Sequence, residues 1–405
     1  MITKKKTFFC FAFLFIFLLT ASECQTNGAA VTSPGTNVNL SNEAFQFASS
    51  MKIGWNLGNT FDAHINMTPR ETAWGNKRPT QELMNGLKKL GFGAVRIPVT
   101  WGTMIDDNNN YAINSAWMNL VTEAVNFALR AGLKVIINIH HDGADSHYWL
   151  SVKSADLTGA RKEAIDRKFI AVWKQIAEKF KNTGENLIFE GFNELHDGSW
   201  GNGNAAQHRR INELNQIFVD TVRAAGGENS NRYLLIHGWV TRPSVTVSSL
   251  VMPKDTAQNK LIVGIHYYDP YDFSGSGKEK VWGNKANPRG WANESHVRET
   301  FNSVKRKFVD NGIPVIIGEY GSINHDSWDA PLYRAYYIEY ITKYAVDCGF
   351  VPFYWDNGGF GYGSEKFGLI DRDTGAPADD YAEAVVEAMM RAVYSNYSLS
   401  DIKVP

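Results

Sequence analysis

The sequence predicts a single (β/α)8 barrel, the TIM-barrel class of α/β fold, from two observations. Eight apolar, strand-like runs alternate with helical patterns, and reactive polar side chains lie at the carboxyl ends of the runs rather than at their starts. The runs cover residues 51–60, 94–101, 134–142, 187–194, 233–239, 261–270, 314–322 and 350–358. An open doubly wound sheet is the main alternative, but the chain has no GxGxxG or GKT/GKS phosphate loop.

The helical patterns follow the strands in order. They cover residues 80–90, 116–131, 161–180, 206–225, 293–310, 330–346 and 381–394, and the fifth connection, 243–259, has the weakest pattern. Thr80 and Asn293 are typical of helix starts. Glycines stand where the helices should end, at Gly91, Gly132, Gly226, Gly312 and Gly349.

The N-terminal residues predict export. Lys4, Lys5 and Lys6 precede the apolar run 8–19 and then small residues, which is typical of a secretory signal peptide over 1–22 and too short for a membrane span of roughly 20 residues. We therefore expect a secreted protein without a transmembrane segment. Cleavage would leave Cys24 near the new terminus, so a lipid anchor is the alternative, although Glu23 fits a lipoprotein signal poorly.

The rest of the chain divides simply. Residues 23–40 are predicted to be a flexible leader, 41–395 the barrel as the only catalytic domain, and 396–405 a short tail. A net charge of −1 gives no electrostatic footprint for nucleic acid or an anionic membrane. We expect a monomer without a disulfide framework, since only Cys24 and Cys348 follow the signal peptide. The 12 Trp and 17 Tyr fill a core or line a sugar-binding groove.

Two strand ends each carry a glutamate. Glu194 ends the run 187–194, and Glu319 lies near the end of the run 314–322. Because the carboxyl ends of parallel barrel strands meet at one mouth, these two carboxylates should face each other. Paired carboxylates are typical of acid/base chemistry on a glycosidic bond.

Seven motifs at successive strand ends resemble family 5 of the glycoside hydrolases, most closely its subfamily-4 endoglucanases. They are GWNLGNTFD, VRIPVTW, INIHHD, FNE, HYYDPYDF, IGEYG and YWDNG, whereas HGWVT after the fifth strand matches no family role. The resemblance implies retaining cleavage of a β-1,4-glucan, with Glu194 as acid/base and Glu319 as nucleophile. It also implies supporting roles for Arg96, His140, Asn193, His266, Tyr268 and Trp355, and we add Asn56, His141, Asp356 and Asn357 as candidate sugar contacts.

Each role makes a physical demand. Hydrogen bonds from Arg96 and Tyr268 should favour ionised Glu319, while burial and the nearby Glu319 charge should raise the pKa of Glu194. We expect His140 and His266 to position Glu319 and sugar hydroxyls, Asn193 to bind the hydroxyl beside the reacting carbon, and Trp355 to stack under the sugar. Four residues before Glu194, Glu190 should share its inward face and pair with Arg96 or another buried donor in a structural role.

Other chemistries fit the sequence less well. The HHD run at 140–142 suggests a metal hydrolase, but neighbouring strand residues point to opposite faces, so His140 and His141 should not share an ion. No lysine ends a strand as a Schiff-base aldolase requires, and no GxSxG is present. We expect no metal or organic cofactor in the chemistry. Two alternatives stay open: another β-1,4 polysaccharide (xyloglucan, mixed-linkage β-glucan, xylan or mannan), or a non-catalytic glucan-binding barrel.

Overall fold

The computed structural model describes residues 42–143 and 148–405, and its centre is a closed barrel of eight parallel strands. We number the barrel strands alone: β1 Gly54–Leu57, β2 Ala94–Ile97, β3 Lys134–Asn138, β4 Leu187–Glu190, β5 Leu234–His237, β6 Leu261–Tyr267, β7 Val315–Tyr320 and β8 Phe350–Asp356. Every strand pairs with its sequence neighbour, and β1 closes the ring by pairing with β8. The predicted (β/α)8 fold is therefore confirmed.

Ten helices are assigned within the described residues. They are α1 Glu43–Ser50, α2 Gln81–Leu90, α3 Ser115–Arg130, α4 Gly159–Lys179, α5 Ala205–Ala224, α6 Pro243–Ser249, α7 Tyr271–Ser274, α8 Glu294–Lys307, α9 Ala330–Asp347 and α10 Asp380–Tyr394. Seven of them coincide with the predicted helical patterns within a few residues, and the weak fifth connection holds only the short α6. The Thr80 side chain accepts a hydrogen bond from the Leu83 amide at the start of α2, and Gly91 ends this helix with a φ of 108°.

Helix α1 was not predicted from the sequence, and it covers the amino-terminal end of the barrel. Asn42 caps it by accepting a hydrogen bond from the Phe45 amide. The Phe47 ring stacks on the Tyr233 ring with centroids 3.7 Å apart, and Lys260 forms an ion pair with Glu43. These contacts bury an apolar face that the helix would otherwise expose to water.

The barrel interior changes from apolar to polar toward the carboxyl ends of the strands. The apolar layer includes Ala94, Ile136, Ile188, Ile262 and Ile316. Two residues further along β1 to β5 the inward side chains are polar and fully buried, namely Asn56, Arg96, Asn138, Glu190 and His237. Because buried polar groups require partners, this second layer fixes the base of the barrel mouth through its mutual hydrogen bonds.

The residues of the predicted short tail, 396–405, are ordered against the barrel. Residues after α10 pack back on the barrel wall, where the Tyr397 hydroxyl donates to Glu339 at 2.7 Å and Ile402 is buried. The predicted signal peptide, the leader and Cys24 lie outside the described residues. Among the described helices, none combines the length and the apolar character that crossing a bilayer requires.

Candidate active site

The buried guanidinium of Arg96 organises the barrel mouth. Its Nε and Nη2 atoms donate to the two oxygens of Glu190 at 2.6 Å and 2.7 Å, and Nη2 also donates to Asn193 Oδ1 at 2.7 Å. Its Nη1 atom donates to Glu319 Oε1 at 2.7 Å and to Asn56 Oδ1 at 3.0 Å. One cation therefore fixes a carboxylate on β4, a carboxylate on β7 and the amide that precedes Glu194.

The pKa values of Arg96 and Glu190 are set by two opposing effects, burial and the charge of the partner. Burial alone would lower the pKa of Arg96, but the carboxylates of Glu190 and Glu319 outweigh it and raise the pKa. Burial alone would raise the pKa of Glu190, but Arg96 and then His237 hold it well below its ordinary value. Glu190 is thus an ionised partner of Arg96, and the predicted pairing of these two residues is present.

Glu319 reaches the mouth through a bulge in β7. The β6–β7 register runs from Ile265 with Ile317 to His266 with Glu319, so Gly318 is an extra residue. Without the bulge, strict alternation would place Glu319 on the same face as Ile317, which packs against the helices. Gly318 has no space for a side chain, because a Cβ there would lie 2.9 Å from His266 Nε2.

The Glu319 carboxylate has two protein donors. Arg96 Nη1 donates to Oε1, and the Tyr268 hydroxyl donates to Oε2 at 3.1 Å. Burial raises the pKa of Glu319, and the charge and hydrogen bond of Arg96 offset only part of this rise. The two predicted hydrogen bonds are present, but the net direction differs from the expectation because desolvation outweighs them.

Glu194 has a different environment. Its Oε1 atom lies 2.6 Å from His266 Nδ1 and 3.3 Å from the Thr241 hydroxyl, and no arginine or lysine of the described chain forms an ion pair with it. Burial raises the pKa of Glu194, and the more distant Arg96 opposes this. The upward direction is the expected one, although burial rather than the Glu319 charge is its main cause.

His266 lies between the two carboxylates, but nearer to Glu194. Its Nδ1 atom is 3.6 Å from Glu319 Oε2, which is too long for a hydrogen bond. The expectation that His266 positions Glu319 is therefore wrong, because the imidazole forms its hydrogen bond with Glu194 instead. Burial lowers the pKa of His266 to about 3, so its ring is neutral at neutral pH.

His140, Asn193 and Trp355 form one wall of the mouth. The rings of His140 and Trp355 are parallel, with centroids 5.9 Å apart. His140 lies 3.1 Å from Asn138 Nδ2 through Nδ1 and 3.4 Å from Asn193 Nδ2 through Nε2, so it supports Asn193 and not Glu319. Burial lowers the pKa of His140 well below its usual range and keeps it neutral.

Three of the candidate sugar contacts are wrong because their polar atoms are used inside the protein. Asn56 is fully buried and donates to the Gly318 carbonyl at 2.9 Å. Asp356 is also fully buried and accepts from Trp55 Nε1 and from the backbone amides at 358, 369 and 370. Asn357 bonds the loop around Glu365. These side chains shape the mouth without facing it.

His141 differs from its predicted orientation. Strand β3 ends at Asn138, so the alternation argument does not extend to His141, whose ring centroid lies 4.5 Å from that of His140. Ligand atoms of Asp62, His140 and His141 lie within 4.8 Å of one another, and so do those of Glu194, His266 and Glu319. In the first group the Asp62 oxygens accept from the Asn59 and Thr60 amides. Both ring nitrogens of His140 have amide neighbours, so this donor set is already committed to the protein.

The match to a known family is extensive. The model of the family described as "Cellulase (glycosyl hydrolase family 5)" matches residues 58–361, which span seven of the eight barrel strands completely and include both mouth glutamates. The chain belongs to glycosyl hydrolase family 5. The resemblance inferred from the strand-end motifs is thereby confirmed, as is the glycoside hydrolase class.

Relatives of this family 5 enzyme are similar over most of its length. Endoglucanase A of Paenibacillus barcinonensis is 40% identical over 349 residues, 81% of this chain and 86% of the relative. The xyloglucan-specific endo-β-1,4-glucanase of Bacteroides ovatus is 38% identical over 370 residues, 86% of this chain and 70% of the relative. The solved GH5-4 broad specificity endoglucanase from Bacteroides salanitronis is 42% identical, with a TM-score of 0.84 covering 87% of this chain and 96% of that one.

Two residues of this family 5 mouth were given no role from the sequence alone. His237 Nε2 lies 3.1 Å from Glu190 Oε1, and its ring occupies the space that a Cβ on Gly264 would fill, 2.1 Å from His237 Cε1. Thr241 contacts Glu194 from the same connection. The signal was the unmatched HGWVT sequence directly after a strand end, where side chains of a barrel face the mouth.

Proposed function

We propose that this protein is a retaining endo-β-1,4-glucanase in which Glu319 is the nucleophile and Glu194 the acid/base. The observation that carries the proposal is the pairing of these two carboxyl groups, since an oxygen of Glu194 and an oxygen of Glu319 lie within 4.8 Å of each other. Of these two groups, Glu319 is the one that forms an ion pair with Arg96. Retaining pairs are about 5–5.5 Å apart, whereas inverting pairs are about 6.5–9.5 Å apart to admit a water.

The hydrogen bonds support the assignment of roles. Burial raises the pKa of both groups. When the pair holds a single proton, that proton binds to the carboxyl group whose ionised form receives the weaker hydrogen bonds. Glu319 is stabilised as a carboxylate by Arg96 and Tyr268, whereas Glu194 contacts neutral His266 and Thr241. The proton therefore belongs on Glu194 before substrate is cleaved.

The reaction then has two steps. The Glu319 carboxylate attacks the anomeric carbon while Glu194 gives its proton to the departing glycosidic oxygen, which forms a glycosyl ester on Glu319. In the second step the Glu194 carboxylate removes a proton from water, the water oxygen attacks the same carbon, and the ester bond to Glu319 breaks. Asn193 is held by Arg96 and His140, and these contacts support its proposed role of binding the hydroxyl beside the reacting carbon.

The substrate class is proposed from the relatives and from exposed aromatic residues. The most exposed tryptophans of the described chain, Trp74, Trp200, Trp291 and Trp328, all lie in connections that follow the carboxyl ends of strands. Flat aromatic rings suit sugar rings, and platforms spread over four connections suit a long chain. The names of the relatives favour a β-1,4-glucan backbone, either linear or substituted as in xyloglucan.

A panel of polysaccharides tests the substrate. Release of reducing sugar should be greatest on carboxymethyl cellulose, xyloglucan or mixed-linkage β-glucan, and smaller on xylan and mannan. A non-catalytic glucan-binding barrel is the competing function, and binding of these polymers without any release of reducing sugar would support it. We further propose that the enzyme acts as a monomer, which gel filtration with light scattering tests.

The location of the enzyme is a separate proposal. The apolar run 8–19 supports secretion after cleavage near residue 22. The N-terminal sequence of enzyme recovered from culture medium should begin close to residue 23. Recovery in the detergent phase with a lipid attached to Cys24 would instead support an anchored enzyme.

Product stereochemistry tests the two glutamates separately. Glu194→Ala should fail on polymer by about 10²–10⁴-fold, because the leaving oxygen needs a proton, yet still form the glycosyl ester from a dinitrophenyl β-cellobioside. Azide should then accelerate turnover and give the β-azide. Glu319→Ala should be inactive on both substrates, and azide should rescue it with formation of the α-azide.

The exposed Glu365 provides a matched control. Glu365→Ala should hydrolyse polymer and give no azide product. Proton NMR of the products distinguishes the two anomers, and finding the α-azide with Glu194→Ala and the β-azide with Glu319→Ala would reverse the assignment.

A further inference from the structure

The HGWVT segment after β5 has an unusual backbone. Val240 has φ 47° and ψ 29°, and Thr241 has φ 53°. Two consecutive β-branched residues in the left-handed region are rare, because their side chains crowd the backbone there. Such strain persists only where the surroundings impose it, and it concentrates at functional sites.

The surroundings that impose it belong to the loop that carries Glu194. The buried ring of Trp239 donates from Nε1 to the Gly201 carbonyl at 3.0 Å, and it packs on Gly203, where a Cβ would lie 2.7 Å from the ring. The Val240 amide donates to the Leu195 carbonyl at 3.2 Å. The β5 segment is therefore held against the β4 loop through Trp239 and through Val240, the first of its two strained residues.

The result of this conformation is the placement of one hydroxyl group. Thr241 is fully buried, and its Oγ1 atom lies 3.3 Å from Glu194 Oε1 and 2.6 Å from the Val240 carbonyl. A hydroxyl has one hydrogen to donate. It can point to Glu194 when that carboxyl group is ionised, and to Val240 when Glu194 is itself protonated.

We propose that Thr241 is a positioning residue that fixes the Glu194 carboxyl group and supports its ionised form in the second, water-activating step. This inference rests on the acid/base role proposed above for Glu194. It also gives a function to the HGWVT sequence, since the strained backbone serves to aim the hydroxyl across the mouth.

The contribution of Thr241 is partial, because other groups also face Glu194. His266 lies on its β6 side, and Arg96 acts on it from β2. Within residues 42–143 and 148–405, the other titratable groups near it include His141, His196, Tyr268, Tyr271 and Glu319. None of them is altered by a substitution at Thr241, so a variant isolates the hydroxyl.

The test compares Thr241→Val, which keeps the branched shape, with Thr241→Ser, which keeps the hydroxyl. In Thr241→Val the ionised form of Glu194 loses a hydrogen-bond donor, so the pKa of Glu194 should rise. The basic limb of kcat/KM on polymer should therefore move upward by about 0.5 pH unit. On dinitrophenyl cellobioside, where the second step limits turnover, kcat should fall about three- to tenfold while kcat/KM is retained. Thr241→Ser should match the wild type in both measurements.

The matched control is Thr246→Val in α6. Thr246 is fully buried in the same connection, and its hydroxyl has no hydrogen-bond partner among the described residues. This variant should retain the wild-type pH profile. If Thr241→Val does not fold, Thr241→Gly replaces it, since glycine accepts a positive φ and also lacks the hydroxyl.

The outcomes separate the two proposals. A wild-type enzyme that hydrolyses polymer, together with an unchanged profile and unchanged kcat in Thr241→Val or Thr241→Gly, would overturn the role of Thr241 alone. A Thr241→Ser variant as impaired as Thr241→Val would also overturn it, because shape rather than the hydroxyl would then matter. A wild-type protein that hydrolyses no β-1,4-linked substrate would overturn the proposed function and this inference together.

Discussion

Arg96 donates hydrogen bonds to both oxygens of Glu190, and the two side chains are completely removed from solvent. The guanidinium of Arg96 also contacts Glu319, so the nucleophile proposed above is positioned by an ion pair that lies one layer deeper in the barrel. A buried charge without its partner is costly, which makes Glu190 a sensitive point of the fold.

Glu190→Gln should reduce stability more than turnover. The substitution removes one of the two carboxylates that compensate the charge of Arg96. The free energy of unfolding, measured by urea unfolding at pH 7, should therefore fall by about 3 kcal/mol. The control is Glu339→Gln, whose partner Arg391 is half-exposed, and it should lose about 1 kcal/mol or less. A Glu190→Gln protein with full stability and lost activity would contradict a structural role.

His266 should make the protein less stable in acid. Because its folded pKa is lowered to about 3 from 6.5, the unfolded chain binds a proton that the folded protein does not over that interval. Its contribution to stability is therefore complete above about pH 6.5 and is lost as the pH falls toward 3. Urea unfolding from pH 7 to pH 4.5 should show a smaller decline for His266→Gln than for the wild type.

The control for this pH dependence is His208→Gln, since His208 lies in an exposed hydrogen bond to the Asn202 carbonyl. Its decline should parallel that of the wild type. Equal declines for His266→Gln and the wild type would show that His266 is not held neutral by the fold.

Glu194→Gln should stabilise the protein at neutral pH. Burial raises the folded pKa of Glu194 above 4.5, so the ionised group costs stability at pH 7, and this cost disappears as the pH falls through the folded pKa. We expect a gain of about 1 kcal/mol at pH 7 that shrinks toward pH 4.5. Glu365→Gln, at an exposed site, should show no gain, and a destabilised Glu194→Gln would contradict the prediction.

Chelation should leave the activity intact. The two carboxylates supply nucleophile, acid and base, and the donors around Asp62 and His140 are engaged by protein groups. Release of reducing sugar should be equal before and after dialysis against EDTA. Activity that is lost on chelation and restored only by a divalent ion would contradict this.

Trp200 should contribute to the binding of polymer but not to the binding of small activated substrates. Its exposed ring lies 4.6 Å from that of His196, two residues after Glu194, so we predict that it stacks on the departing sugar, whose oxygen the proposed acid protonates. Trp200→Ala should raise KM for polymer about three- to tenfold and leave dinitrophenyl cellobioside unaffected, because that substrate has no sugar as leaving group. Ile170→Ala, exposed on α4, is the control. An equal loss on both substrates would argue against this placement.

The barrel could be predicted because its signals are local. Buried parallel strands are nearly continuous apolar runs, and helices carry caps such as Thr80 and Gly91, so each element was readable from a few neighbouring residues. Helix α1 was not predicted because its apolar face is short, and this face is buried only by contact with the amino-terminal end of the barrel. Glu194, Glu319 and Arg96 could be placed at the mouth because topology alone brings strand ends together.

The sequence by itself determined the fold class, the family and the set of reactive groups at the mouth. Only the tertiary structure decided which of them face one another. The Gly318 bulge changes the face of Glu319, the end of β3 at Asn138 frees His141 from alternation, and Asp356 turns to Trp55 and away from the mouth. The strained Thr241 reaches Glu194 across 47 residues of sequence. These features arise from register, desolvation and contacts between distant segments, which no local pattern encodes.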